Sequence, residues 1–180
     1  NKRGVLGKII NGQKKAWQEP QPFDWNRHLS GELVQGLSPV DCETGKVKFI
    51  CLDIDLTIKP EEFPGNIWTY IGYQYRCYRT MGGKWRVVEH LDDWIGVEEG
   101  KQRAKLIEKR IEELLGGYKC DSGHTLPQGY SLEEDKPGNW IFMPYHNEDT
   151  VCYGPGGNKY SVKQLEYSIR YKNHPVVVSC

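Results

Sequence analysis

The run KVKFICLDIDLTI, Lys46 to Ile58, constrains the fold of this chain more than any other segment. It is rich in β-branched and apolar residues and follows the turn signal ETG at 43–45, a combination typical of a β-strand. Its strongly apolar first half favours a strand inside a sheet over one at the edge. The run therefore predicts a central strand.

Two carboxylates, Asp53 and Asp55, lie near the end of this run. Because strand residues alternate between faces, residues two apart share a face. Two anions held that close repel each other, and Mg²⁺ or Mn²⁺ would relieve the repulsion while carrying substrate phosphates. The alternative is a strand end whose acids are solvated or paired with lysine. We interpret the pair as a metal site and as the chemical centre of the protein.

A basic hairpin is predicted next, because strand-like runs at 73–80 and 84–91 are separated by Met81, Gly82 and Gly83. Glycines let a backbone approach a phosphate closely, and flanking cations can hold a triphosphate or a nucleic-acid backbone. The candidate phosphate-binding cations are Arg79, Lys84 and Arg86, with Arg76 nearby. The alternative is a charged hairpin with solvated faces.

A third carboxylate would complete a two-metal site, and Asp121 is the candidate. It lies in CDSGHTLP, a predicted polar loop that can return beside the first strand. A plain loop acid or a helix-terminal cap is an equally good interpretation of Asp121. His124 is a candidate for phosphate contact or acid-base work, and with Cys120 it supplies only half of a zinc site.

The remaining pattern predicts the fold class. An amphipathic helix is predicted over 97–115, with an apolar stripe formed by Leu106, Ile107, Ile111, Leu114 and Leu115. Further predictions are a helical turn at Trp25–Leu29, a short strand at 139–146 and a helix that begins at Ser161 as N-cap. The order β, ββ, α, β, α predicts an α+β domain with a mixed, mainly antiparallel sheet backed by helices.

Length and composition set wide bounds. A chain of 180 residues suits one domain over 1–180, in which the segment 1–30 is weakly specified. Lys plus Arg and Asp plus Glu both number 24, so a phosphate-binding surface must come from local clustering. No apolar stretch approaches the roughly 20 residues of a membrane span, and the six scattered cysteines indicate reduced thiols. We expect a soluble intracellular protein without a membrane partner.

Three segments, in this order, resemble motifs of the archaeo-eukaryotic primase superfamily, the primase-polymerases, especially the branch of phages, plasmids and mobile elements. FICLDID resembles the first motif, a strand ending in Asp-x-Asp that holds catalytic metal. RTMGGKWRVVEHLD resembles the second-motif hairpin, and CDSGHTLPQGY followed by GNWIFMPYHN resembles the third-motif region. RHLSG, ahead of the first motif, is also similar. The resemblance runs from about His28 to Tyr167.

The resemblance implies an RRM-like catalytic core and an enzyme, a template-directed nucleotidyltransferase (DNA primase or DNA polymerase) that adds nucleotides to a 3′-hydroxyl and releases pyrophosphate. It implies that Asp53, Asp55 and Asp121 hold two Mg²⁺ or Mn²⁺ ions. Its partners would be a single-stranded or primed DNA template, nucleoside triphosphates and a helicase domain or protein. The location would be the cytoplasm, that of the host for a phage-encoded protein. The expected nucleic-acid contacts are His28, Trp85 and Tyr145.

The chain departs from the family at one point. The second motif normally supplies a histidine for the triphosphate, and here Lys84, Trp85 and Arg86 occupy that neighbourhood. We expect Lys84 or Arg86 to take its place, because both bind phosphate.

Two other functions fit parts of the sequence. A haloacid-dehalogenase-like phosphatase is one, because CLDIDLTI also fits Asp-x-Asp-x-Thr, with Asp53 as nucleophile and Asp55 as acid-base. That family opens a doubly wound fold with this motif. A non-catalytic nucleic-acid-binding replication module is the other.

Overall fold

The computed structural model describes residues 5–10, 13–41, 43–64, 67, 68, 70, 75–116, 120–131 and 136–164. The strands within these ranges are β1 (Val5–Ile10), β2 (Gln13–Gln21), β3 (Val34–Leu37), β4 (Val40–Asp41), β5 (Lys46–Ile54), β6 (Arg76–Arg79), β7 (Trp85–Gly96), β8 (Cys120–Leu126), β9 (Tyr130–Ser131), β10 (Lys136–Pro137), β11 (Ile141–Phe142) and β12 (Cys152–Tyr153). The α-helices described over their whole length are α1 (Trp25–Leu29) and α2 (Val97–Leu114), and single 3₁₀ turns lie at Pro60–Glu62 and Pro155–Gly157.

The fold is α+β with antiparallel sheets, as predicted. The larger sheet has the strand order β12-β6-β7-β5-β4, and β8 also pairs with β5. All of these pairings are antiparallel. The prediction of a central strand is confirmed, because β5 pairs with β7 and also with β4 and β8. The strand ends at Ile54, four residues before the predicted end.

The two faces of β5 belong to different hydrophobic clusters. Ile50, Leu52 and Ile54 are fully buried in the larger cluster, which includes Ile107 and Ile111 of α2. Cys51 belongs to a smaller cluster on the other face, together with Tyr78, Val88, Leu126, Ile141 and Cys152. Since residues two apart share a face, Asp53 lies on the side of Cys51, away from α2. The sheet therefore offers its acidic residue on the face that the long helix leaves free.

Trp85 is an anchor of the larger core. Its side chain is fully buried and packs edge to face against Phe63, with ring centroids 4.8 Å apart. Its indole Nε1 donates to the carbonyl of Ile58 over 2.8 Å. A ring enclosed in this way offers no face to a nucleic-acid base, which argues against the predicted contact of Trp85 with nucleic acid.

A second, four-stranded sheet has the order β11-β3-β1-β2. The segment 1–30 was expected to be weakly specified, yet its described part forms the antiparallel hairpin β1–β2 and the short helix α1. The predicted helical turn at Trp25–Leu29 is confirmed with the same bounds. Because β11 pairs with β3, this sheet joins the N-terminal segment to the region after β10.

The segment CDSGHTLP was predicted to be a polar loop, and this prediction is wrong. Residues Cys120–Leu126 form β8, which pairs with β5. Aspartate, serine and glycine have low strand propensity, but β-structure depends strongly on the neighbouring strand that completes the hydrogen bonds. The segment does return beside the first strand, as expected.

The chain end is described only as far as residue 164. The predicted cap of a final helix is confirmed, because Gln164 N–H donates to Ser161 Oγ and Ser161 N–H donates to Gln164 Oε1. The rest of that predicted helix lies outside the described residues. Within the described part, no helix has both the length and the apolar character needed to cross a bilayer.

The buried stripe of α2 is narrower than predicted. Ile107 and Ile111 are buried, whereas Leu106 is 71 % exposed and was wrongly assigned to the apolar face. We expect Ile111→Ala to lower the free energy of unfolding by about 2 to 5 kcal/mol, because it leaves a cavity at a fully buried position. Leu106→Ala on the same helix is the matched control and should change it by less than about 0.5 kcal/mol. Equal effects in urea titrations would contradict this packing.

Candidate active site

An ion pair between neighbouring strands forms the centre of the site. The register of β5 and β7 places Asp53 opposite Arg86. Arg86 Nε donates to Asp53 Oδ1 over 2.5 Å, and Nη2 donates to Oδ2 over 2.6 Å. The two side chains are only 13 % and 14 % exposed. A bidentate pair shielded from water in this way fixes both groups in position.

The charge of Arg86 is strongly stabilised by its surroundings. Burial alone would lower the pKa of Arg86, but Tyr78, Cys51 and the hydrogen-bonded Asp53 together raise that pKa well above its ordinary value. Arg86 therefore remains a cation at any pH at which the protein is folded.

A second ion pair lies at the exposed end of the same strands. Lys84 Nζ forms a salt bridge with Asp55 Oδ1, and about half of each side chain is exposed. Exposed pairs of this kind contribute at most about 1 kcal/mol. Each member of the acid pair is thus paired with a cation, lysine for Asp55 and arginine for Asp53. Two of the three predicted phosphate-binding cations therefore contact predicted metal-binding carboxylates.

Asp121 lies beside Asp53 in the sheet. The register of β5 and β8 makes Asp53 and Asp121 directly opposed residues, with Ile54 opposite Cys120. Directly opposed residues of an antiparallel pair lie on the same face. Arg86, Asp53 and Asp121 therefore occupy one row across three strands. The role of Asp121 as a third carboxylate of the site stays a prediction.

His124 lies on β8 within a register irregularity. The register shifts between the pairs Asp53–Asp121 and Cys51–Leu126, so two steps along β5 correspond to five along β8. Simple alternation does not assign a residue inside such a bulge to a face. The predicted role of His124 at phosphate stays a prediction.

A cleft of about 500 Å³ opens over this end of the sheet. One side is formed by Asp53, Asp55 and Arg86, and the turn 79–84 between β6 and β7 contributes a second side. The third side consists of Phe142, His146 and Thr150, which follow β10 in the chain. We call this space the carboxylate cleft.

The turn between β6 and β7 is tightly ordered by its own hydrogen bonds. Thr80 N–H donates to Lys84 O over 2.7 Å, and Gly83 N–H donates to Thr80 O over 2.9 Å. Gly83 has φ +78°, a conformation that side chains other than that of glycine rarely adopt. Arg79 donates from Nε and Nη2 to Gly83 O, and its guanidinium lies over the ring of Trp85, 5.9 Å from the ring centroid.

His28 was predicted to contact nucleic acid, and its burial argues against that role. Its side chain is fully enclosed, its Nε2 donates to Pro144 O over 2.8 Å, and its Nδ1 accepts from Gln35 N–H over 3.1 Å. Both ring nitrogens are therefore used inside the protein. His28 links the N-terminal segment to the loop that carries His146.

Tyr145, the third predicted nucleic-acid contact, is half-buried. Its hydroxyl donates to Tyr160 O over 3.0 Å, and its backbone has φ +70°. Tyr145 is thus held in the loop after β11, and its predicted contact with nucleic acid stays a prediction.

His146 is the residue of the cleft that sequence reasoning missed. The sequence predicts only a strand over 139–146, whereas β11 ends at Phe142 and the chain then turns. His146 is buried, and burial lowers its pKa below the ordinary value of 6.5. The one available signal was its place in PYHN, directly after the third-motif strand.

The donor set suits a hard divalent cation. Carboxylate oxygens are the ligands preferred by Mg²⁺ and Mn²⁺, Asp53 and Asp55 line one cleft, and Asp121 is the register partner of Asp53. Among the side chains that the structure describes, no group of three histidine, cysteine, aspartate or glutamate residues stands close enough to hold an ion. Asp53 and Asp55 would have to exchange their cationic partners for the metal.

Comparison with known proteins adds no family assignment. No protein-family model matches the chain, and a search of curated proteins found no match.

The buried histidines make stability depend on pH. Burial lowers the pKa of His28 more than its hydrogen bond to Pro144 raises it, and His146 lowers it further. Below about pH 6.5 the unfolded chain takes up protons that the folded protein does not, so stability is complete above this pH and declines below it.

We expect the free energy of unfolding to fall between pH 6.5 and 5 by up to about 1.4 kcal/mol per pH unit for each such histidine. His28→Gln should lower stability at pH 7.5 and make the decline shallower, as measured by urea titration at several pH values. An unchanged slope in the variant would contradict the proposed origin of the effect.

Proposed function

We propose that this chain is a template-directed nucleotidyltransferase of the primase-polymerase type, which adds nucleotides to a 3′-hydroxyl. The observation that carries the proposal is the row Arg86–Asp53–Asp121 beside Asp55 and a basic, glycine-containing turn. Carboxylates for metal and cations for phosphate share one cleft, which is the arrangement that phosphoryl transfer needs. The RRM-like description of the core belongs to the same proposal.

Under this proposal, the carboxylates bind metal ions and the cations bind the triphosphate. Asp53, Asp55 and Asp121 would hold two Mg²⁺ or Mn²⁺ ions, whose chemistry is to lower the pKa of the attacking hydroxyl and neutralise phosphate charge. With Asp53 and Asp55 holding metal, Arg86 and Lys84 would no longer be paired with these two carboxylates and could contact the triphosphate. Arg79, which also lines the cleft, would add a third positive charge.

The reaction is a displacement at the α-phosphate. The 3′-oxygen forms a new bond to the α-phosphorus, and the bond between that phosphorus and the bridging oxygen of the β-phosphate breaks. Pyrophosphate leaves with that bond pair, and the hydroxyl proton passes to solvent. Lys84 and Arg86 would stabilise the negative charge on the departing pyrophosphate.

The fold favours this chemistry over the phosphatase alternative. A doubly wound phosphatase places its Asp-x-Asp motif after a parallel strand, whereas β5 pairs antiparallel with β4, β7 and β8. The non-catalytic alternative uses the same basic cleft without turnover, so activity separates it from the proposal. The partners under the proposal are a single-stranded or primed DNA template, nucleoside triphosphates and a helicase, in the cytoplasm.

Primer extension tests the proposal. With a labelled primed template and Mg²⁺ or Mn²⁺, we expect Asp53→Ala to reduce incorporation at least about a hundredfold, because metal ligation supplies several kcal/mol of transition-state stabilisation. Asp93→Ala, at an exposed position of β7, is the control and should retain wild-type activity. Equal incorporation by both variants would refute the assignment, and orthophosphate release from small phosphoesters by the wild type would support the phosphatase.

If Asp55 exchanges Lys84 for a metal ion, one substitution at Lys84 should affect triphosphate binding and metal binding in opposite directions. Lys84→Met should weaken binding of a triphosphate and strengthen binding of Mn²⁺ up to about fivefold, because Asp55 no longer has a competing cation. Lys101→Met breaks an exposed pair with Glu98 on α2 and should change neither. Mn²⁺ binding by electron paramagnetic resonance, without nucleotide, measures the metal effect. Weaker Mn²⁺ binding in Lys84→Met would contradict the exchange.

A further inference from the structure

The ring of His146 is held in one tautomer. Its Nδ1 lies 2.9 Å from Met143 O, and a carbonyl can only accept, so Nδ1 carries the proton. In the neutral ring the other nitrogen, Nε2, is then an acceptor. His146 lines a cleft that also contains five charged residues, and its ring brings one acceptor nitrogen to that wall.

That acceptor is left without a partner. Nε2 of His146 is a buried atom with no hydrogen bond to any described residue. Buried polar atoms are nearly always satisfied, so an exception in a cleft residue indicates a place that a ligand or water completes.

The loop that carries His146 is held in an unusual conformation. Tyr145 has φ +70°, which costs energy for a non-glycine residue and persists only where the surroundings impose it. Tyr145 N–H donates to Thr150 O over 2.9 Å, and Asn147 Oδ1 accepts from Thr150 N–H over 3.0 Å. The ring of His28 packs edge to face with that of His146, 5.7 Å between centroids. His146 is thus fixed from both sides of the loop.

The chemistry of an acceptor limits what can bind there. A phosphate oxygen carries no proton to donate, and a divalent ion is disfavoured because His146, Asp53 and Asp55 do not form a metal-holding group. A nucleotide offers two kinds of donor, base N–H groups and sugar hydroxyls. Template-directed pairing uses the base edge, and only the sugar hydroxyl is common to all four nucleotides.

We propose that His146 is a specificity-determining residue whose Nε2 accepts a hydrogen bond from a sugar hydroxyl of the nucleotide in the carboxylate cleft. This inference rests on the proposed function. A small rotation of the ring, with the loop backbone held as it is, would bring the buried nitrogen to the hydroxyl as the cleft fills. The residue then recognises the sugar, while the cations recognise the triphosphate.

Binding of four sugar analogues tests the inference in the 180-residue chain. Dissociation constants with Ca²⁺ would be measured for ribo-, 2′-deoxy-, 3′-deoxy- and 2′,3′-dideoxynucleoside triphosphates. The wild type should bind the analogue that keeps the recognised hydroxyl about three- to tenfold more tightly than the one that lacks it, as expected for one hydrogen bond. The position at which affinity is lost identifies the hydroxyl as 2′ or 3′.

Variants assign that preference to His146. His146→Phe keeps a ring but has no acceptor, and its preference should fall to about one, whereas His146→Gln keeps an acceptor and should retain part of it. His90→Phe makes the same change outside the cleft and should leave the preference at the wild-type value. Thermal melts confirm that each variant is folded, and the wild-type comparison needs no variant at all.

Two outcomes would overturn the inference, and they differ from each other. If His146→Phe binds nucleotide and keeps the wild-type preference, or if the wild type has no preference, His146 does not read the sugar and the proposed function stands. If the wild type binds no nucleoside triphosphate, the proposed function fails and the inference fails with it.

Discussion

The bidentate pair of Asp53 and Arg86 is the interaction on which the candidate site depends. It joins β5 and β7 of the larger sheet, on the face that points away from α2. A carboxylate so little exposed would be costly to bury alone, and the guanidinium offsets that cost. The same contact fixes the position of the acid that would bind metal and of the cation that would bind phosphate.

Sequence reasoning succeeded where structure is encoded locally. The apolar run of β5, the Gly-containing turn after β6 and the 3.6-residue period of α2 each carry their own signal, and all three elements are present. It failed where a distant part of the chain decides. CDSGHTLP is a strand because β5 lies beside it, and Leu106 is exposed because the sheet does not reach that side of α2.

The candidate site divides in the same way. The acid pair was predictable because strand alternation is a local rule. Asp121 lies far from Asp53 and Asp55 in the sequence, so only the order of the motifs linked it to them. Strand register then placed Asp121 opposite Asp53. His146 carried no periodic signal, since its place in the cleft follows from the fold of a loop and from contacts with His28, 118 positions earlier. The sequence could not show whether the ring of Trp85 would be exposed to a ligand or buried, and the fold buries it in the core.

The unequal burial of the two ion pairs makes the site respond unevenly to ionic strength. Dissolved ions screen exposed charges over about 8 to 10 Å at physiological concentrations, but they act weakly on enclosed ones. Lys84 and Asp55 are about half exposed, whereas Arg86 and Asp53 are mostly covered. Added salt should therefore loosen the outer end of the carboxylate cleft first, near the turn, while the inner end keeps its geometry. Ionic strength therefore affects the Lys84–Asp55 end of the cleft more than the Arg86–Asp53 end.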